Sequence, residues 1–188
     1  GVLSAKEAAE QRRLQSEAVN AYLDSGHGSC TLNNPEYAAV VAGALEHFAG
    51  ERYELHAWAV MPNHVHAVVE PIGSNTLEST LHSWKSFTAH EIARLSGRAG
   101  HLWQNEYFDH LIRTEQDYER FVDYTESNPS TLGLNGWPWS SKPLGEPRYP
   151  RARDGHDTHV RDERATYQAS YPMPDNELRE AIRSPTDE

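Results

Sequence analysis

Two apolar runs, "YELHAWAVM" (53–61) and "HVHAVVEP" (64–71), are separated only by Pro62 and Asn63. A Pro-Asn pair between alternating β-rich segments leaves the chain little choice but a tight antiparallel hairpin. The first run, extended to Arg52, alternates with Tyr53, Leu55, Ala57 and Ala59 on one face. In the second, strand periodicity places His64 and His66 on the same face and Val65 on the other. Two imidazoles spaced this way can grip one divalent cation. A catalytic metal needs at least a third ligand and an open position. A bare pair of alternating histidines is also common on exposed sheet edges. Here the turn fixes where the strand begins, which argues against an accident.

The helical segments follow from period and punctuation. Residues 4–23 hold good helix formers, with Ala5, Ala8, Ala9 and Leu14 on one side. "DSGHGSC" breaks this segment. A second helix is predicted from Asn34 as N-cap, through Pro35 in the first turn, to Gly50 as C-terminal cap. "TLESTLHSWKSFTAHEIARLSG" places Leu77, Leu81, Trp84, Phe87, Thr88, Ile92 and Leu95 at helical spacing, and Gly97 ends it. "EYFDHLIRT" reads as a third strand. "TEQDYERFVDYTESNP" reads as a last helix capped by Thr114, with Asp117 at N3, a stripe of Tyr118, Phe121, Val122 and Thr125, and Pro129 as terminator. "GWPWSSK" is an aromatic segment expected to pack back on the core.

The order is α-α-β-β-α-β-α, an α+β fold with helices packed on an antiparallel sheet. The expected division is an N-terminal helix over 1–23, a catalytic domain over 24–142, and a polar C-terminal tail over 143–188. The tail is read as mostly extended or disordered, with a short helix at "DNELREAIR". A hydrophobic share of 37% agrees with part of the chain being unpacked. One cysteine, Cys30, excludes an intrachain disulfide and a Cys-based zinc site. No run is long and apolar enough to span a membrane, and no signal peptide is readable. A cytoplasmic location is expected. The net charge of −11 argues against a generic nucleic-acid binder. The acidity is uneven, however: residues 61–113 are nearly neutral and carry most of the histidines.

The last helix offers partners for the histidine pair. Tyr124 and Asn128 stand at i and i+4 and share a face. The amide oxygen could serve as third metal ligand and the phenol as nucleophile. Core packing explains Tyr124 about as well by spacing alone, and Asn128 before Pro129 equally suits a plain helix end. Tyr107 and Tyr118 compete as nucleophiles but lack a polar i+4 partner ahead of proline.

"MPNHVHAVVEP", "LHSWKSFTAHEIAR", "GHLWQNEYFDHLIRTEQDYERFVDYTESNPSTLGL" and "WPWSS" occur in this order over roughly residues 24–141. In these motifs the chain resembles the REP-associated tyrosine transposases, single-tyrosine members of the HUH endonuclease superfamily related to insertion-sequence transposases. The resemblance implies a ferredoxin-like or RRM-like sheet. It implies Mg or Mn held by His64 and His66, with Asn128 completing the site and Tyr124 as nucleophile. It implies cleavage and rejoining of single-stranded DNA hairpins of repetitive palindromic elements through a 5′-phosphotyrosine link. A nucleoid-associated bacterial protein, monomer or homodimer, goes with it.

Weaker candidates for DNA contact are Lys85, His90, Arg94 and Arg98 on the amphipathic helix, and Gln104, Tyr107 and Arg113 near the third strand. Solvated or core positions are the commoner fate of such residues, and for Trp103 and Phe108 the core is preferred. Two other functions remain open. One is a domesticated, non-catalytic binder of structured single-stranded DNA or RNA; the other is a metal-dependent hydrolase using water. The resemblance also implies a further strand of the "YFVTFRL" sort before the first helix, which has no counterpart here. Either the first unit is truncated, with 1–23 as its remnant, or the sheet is completed otherwise.

Overall fold

The computed structural model describes residues 4, 11, 14, 18–97, 100–105, 107–141 and 166–172. A helix, α1, ends at residue 24. A short 3-10 turn (Thr31–Asn33) leads into α2 (Pro35–His47). The hairpin follows as β1 (Tyr53–Val60) and β2 (His64–Pro71), then α3 (Leu77–Ser96), β3 (Phe108–Ile112), α4 (Glu115–Thr131) and β4 (Thr166–Pro172). The sheet order is β1-β2-β4-β3, antiparallel at every junction. The fold is α+β, as the element order predicts.

Local chemistry explains the element ends. Asn34 accepts a hydrogen bond from the Glu36 amide at 2.9 Å, and Pro35 opens α2 without wasting a donor. The helix stops at His47, so Gly50 is not its cap. Gly50 lies beyond, at φ +81°, and its amide turns back to the Tyr53 carbonyl. Thr76 and Ser79 form a reciprocal capping box at the start of α3, and Gly97 closes it in the left-handed region. Thr114 caps α4 by accepting from the Asp117 amide. Pro129 does not end α4. The helix runs on to Thr131, since a proline in the last turn forfeits a single backbone bond and the next amides find acceptors in Asn128 and Ser130.

The sheet separates two cores. On one face α2 and α3 bury Val41, Leu45, Leu81, Trp84 and Ile92 against Tyr53, Leu55, Val65, Ala67 and Val69. Each buried Val, Leu or Ile among them contributes roughly 1.5–3 kcal/mol of transfer free energy. Trp84 donates to the Tyr53 hydroxyl at 2.9 Å, and that hydroxyl donates to the Leu45 carbonyl at 2.8 Å. The apolar stripe of α3 is narrower than its sequence suggests: Phe87 and Leu95 are exposed, as is Leu14. On the other face α4 packs Tyr118, Phe121 and Val122 against Ala57, Val68 and Ile112. Leu23 of α1 packs with Val19, Tyr22 and Phe108.

Two departures bear on the site. The register of β1 slips between Leu55 and Ala57, a β-bulge that interrupts simple alternation. Tyr53 and Leu55 therefore face α2 and α3, while Ala57 joins the α4 core. The fourth strand comes from the region read as a polar tail. Residues 166–172 pair with both β2 and β3 and so lie inside the sheet. The suggested helix at 175–183 lies outside the described residues, as does most of 1–17. The aromatic segment does return to the core: Trp137 donates to the Val60 carbonyl at 2.7 Å, and residues 139–141 cover the outer edge of β1.

Candidate metal and nucleophile site

The hairpin turn is the shortest kind. The Met61 amide meets the His64 carbonyl at 2.8 Å, leaving Pro62 and Asn63 as the loop. His64 and His66 then project together from β2 toward α4, both fully buried. Their Nε2 atoms are 2.8 Å apart. Two nitrogens bound to one metal at ~2.1 Å each would sit about 3 Å apart at a right angle. The pair is thus already set at the bite of a single cation.

The third member is Asp24, the last residue of α1, which the sequence reading missed. Its Oδ1 lies 3.4 Å from Nε2 of His64 and 3.7 Å from Nε2 of His66. Among the described residues, Asp24, His64 and His66 form the cluster whose ligand atoms all approach within 4.8 Å. Nothing in the sequence pattern links the three. Asn63 makes the link in space. Its Nδ2 donates to the carbonyls of Leu23 at 2.8 Å and His27 at 2.6 Å, on either side of Asp24. Its Oδ1 accepts from Nδ1 of His64 at 2.8 Å. That bond fixes His64 with its Nε2 lone pair turned toward the cluster.

α4 brings Tyr124 and Asn128 to the same place. The Tyr124 hydroxyl donates to Asp24 Oδ2 at 2.6 Å, and Asn128 Nδ2 donates to Asp24 Oδ1 at 3.2 Å. The Tyr124 ring stands edge-on to His66, centroids 5.3 Å apart. Asn128 Oδ1 is buried and has no hydrogen-bond partner, while its Nδ2 is the atom turned to Asp24. Two imidazole nitrogens and one carboxylate oxygen are a donor set that could hold a divalent metal ion.

Charges in this cluster are strongly coupled. Burial opposes ionisation of Asp24, but the neighbouring imidazoles of His64 and His66 and the hydrogen bond from Tyr124 outweigh it and hold the carboxyl well below its usual range. Burial, with the nearby His66, lowers His64 to about 4, so it is neutral at physiological pH. Burial and the hydrogen bond to Asp24 push the Tyr124 phenol well above its usual range. Without metal or DNA, Tyr124 is a neutral donor.

The other candidate residues do not gather here. α3 lies on the opposite face of the sheet. Lys85 on it donates to the carbonyls of Gln104 and Asn105, which ties down the loop before β3. Gln104 is buried, and with Lys85, His82, His101 and Tyr107 it lines an open groove of about 800 Å³. Arg94 pairs with Glu91 at 3.0 Å. His90 and Arg113 are exposed, and Arg98 lies outside the described residues. Of the competing tyrosines, Tyr107 lines that groove and Tyr118 meets Nδ1 of His56 at 3.2 Å. His56 in turn meets Glu70 at 3.3 Å, within a buried polar cluster of its own.

The family described as "Transposase IS200 like" matches residues 34–128, half of the chain. The chain belongs to the IS200-like transposase family. The match takes in His64, His66, Tyr124 and Asn128 but neither Asp24 nor β4. The REP-associated tyrosine transposase of Escherichia coli (strain K12) is 30% identical over 94 residues, covering 47% of this chain and 54% of that protein. A putative REP-associated tyrosine transposase of Haemophilus influenzae is 23% identical over 120 residues, covering 56% of this chain and 66% of the relative. An uncharacterized protein of the same organism is 26% identical over 94 residues, covering 52% of its own length. The chain therefore spans only a little over half of the first of these relatives. No solved structure matches it. No helix among the described residues is long and apolar enough to cross a membrane.

Proposed function

We propose that the chain is a metal-dependent nuclease and strand transferase for single-stranded DNA, with Tyr124 as its nucleophile. The observation that carries this reading is the meeting of Tyr124 with the cation-ready cluster. Its hydroxyl lies 2.6 Å from a carboxylate whose other oxygen faces both imidazoles. The core tyrosine Tyr53 satisfies its hydroxyl on neutral partners, whereas Tyr124 directs its hydroxyl to the carboxylate of the cluster.

His64, His66 and Asp24 would hold the metal, and Asn128 would add its amide oxygen. A divalent ion bound there supplies positive charge to the scissile phosphate and its developing oxyanion. Asp24 Oδ2 is placed to accept the phenol's proton as the Tyr124 oxygen bonds to phosphorus. The bond from phosphorus to the 3′-oxygen breaks, and that oxygen leaves with a proton from water. The product is a 5′-phosphotyrosine, and the reaction exchanges one phosphodiester for another. Attack by a 3′-hydroxyl on that link reverses the steps and joins a new strand without an external energy source.

The proposed substrate is a hairpin of repetitive palindromic elements, in keeping with the "REP-associated" names of two relatives, and the proposed metal is Mg or Mn. A cytoplasmic, DNA-associated protein fits this role. Incubation with a labelled hairpin oligonucleotide and Mn²⁺ is expected to give a covalent protein–DNA adduct that Tyr124→Phe abolishes. Binding without any adduct would replace this reading with that of a non-catalytic binder. Cleavage that persists in Tyr124→Phe would replace it with that of a hydrolase using water.

A further inference from the structure

The geometry points to Gln168 of β4 as an amide toggle that holds His66 in one tautomer without metal and in the other with it. This inference rests on the metal site of the proposed function, but not on strand cleavage. Gln168 is buried on the α4 side of the sheet, and its Nε2 lies 3.4 Å from Nδ1 of His66. It belongs to a strand outside the stretch that matches the transposase family.

The hydrogens follow from one fixed point. Asn63 Oδ1 can only accept, so Nδ1 of His64 carries its proton and Nε2 of His64 is a lone pair. The contact of 2.8 Å between the two Nε2 atoms then needs a donor, and that donor is Nε2–H of His66. The Nδ1 of His66 is left as an acceptor, and the amide nitrogen of Gln168 faces it. Every bond in the chain from Asn63 through His64 and His66 to Gln168 is satisfied in this arrangement.

Metal ligation through Nε2 of both histidines requires the other tautomer of His66. Its proton must then sit on Nδ1, where an acceptor is needed. Glutamine offers one after its terminal amide turns over, exchanging Nε2 for Oε1. Neither a carboxylate nor an apolar side chain can serve both states. Asn63 needs no such freedom, because His64 keeps one tautomer throughout. The strand β4 thus contributes a positioning residue to the site as well as hydrogen bonds to the sheet.

Three proteins test this: the parent, Gln168→Glu and Gln168→Leu, each titrated with Mn²⁺ alone at neutral pH. Gln168→Leu is expected to weaken Mn²⁺ binding by about 10–100-fold. Gln168→Glu, which can only accept, is expected to bind at least as tightly as the parent. Parent-like affinity in Gln168→Leu, or equal weakening in both variants, would overturn the toggle. Long-range proton–nitrogen spectra of the parent provide a second readout that survives misfolding of a variant. They should show His66 protonated on Nε2 without metal and on Nδ1 with Zn²⁺ as a diamagnetic substitute. One tautomer in both states overturns the inference. A parent that binds no metal overturns it together with the proposed function. A parent that binds metal and gives no DNA adduct overturns only the proposed function.

Discussion

Tyr124 and Asp24 share one short hydrogen bond, 2.6 Å from phenol to carboxylate, across 100 residues of sequence. The same bond that aims the phenol also discourages its ionisation, because a phenolate beside an unprotonated carboxylate would be repelled. Asp24 therefore stands between the nucleophile and the cation site and answers to both.

Substitution of Asp24 by Asn separates those roles from mere packing, since the two side chains are nearly isosteric. Adduct formation with a hairpin oligonucleotide should fall by about 100-fold or more, the range lost with a positioned proton acceptor. Mn²⁺ affinity should fall as well. In the metal-free protein the Tyr124 phenol should titrate at lower pH than in the parent, visible in ultraviolet difference spectra. Unchanged adduct formation would remove Asp24 from the chemistry.

His64 makes the metal-free protein sensitive to mild acid. Its folded-state value of about 4 lies below the ordinary ~6.5 of an unfolded chain. Between these values the unfolded chain takes up a proton that the folded site refuses. The contribution is therefore fully present above pH ~6.5 and is lost as pH falls toward 4, by on the order of 3 kcal/mol. Urea unfolding in the presence of chelator should show this slope, and His64→Gln should flatten it.

How much of this could be read beforehand depended on whether the information was local. The Pro62-Asn63 turn, the Asn34 and Thr114 caps and the i, i+4 pairing of Tyr124 with Asn128 are each contained within a few residues, and all are present in the fold. Asp24 was invisible because its place is set by Asn63, whose amide grips the backbone on both sides of it. The slip at Leu55–Ala57 defeated simple alternation, because a bulge follows from pairing with β2 rather than from composition. "TYQASYP" alternates too briefly, in too polar a setting, to announce an inner strand. Its register is supplied by the open sides of β2 and β3.

Tyr53 offers a stability test on the face away from the His64–His66 cluster. Its hydroxyl accepts from Trp84 and donates to the Leu45 carbonyl, all within the α2–α3 core. Tyr53→Phe removes the hydroxyl that links Trp84 to the Leu45 carbonyl and should cost about 1–3 kcal/mol in urea unfolding. Mn²⁺ affinity should stay at the parent level. A loss of affinity would mean that the two faces of the sheet are coupled.

The inner position of β4 makes residues 166–172 part of the fold. Ending the chain at Ser141 would leave unpaired the backbone groups of β2 from His64 to Val69 and of β3 from Phe108 to Ile112 that now meet β4. It would also uncover Ala67 and Val68, buried beneath their cross-strand neighbours Ala169 and Gln168. Two unpaired strand edges inside one sheet invite pairing between molecules. A chain cut after Ser141 should therefore aggregate or lose its cooperative unfolding transition. A synthetic peptide spanning residues 164–174, added during refolding, should restore the transition and Mn²⁺ binding together, because it returns both the missing strand and Gln168. A truncated chain that stays monomeric and binds Mn²⁺ as the parent does would show that β2 and β3 need no strand between them.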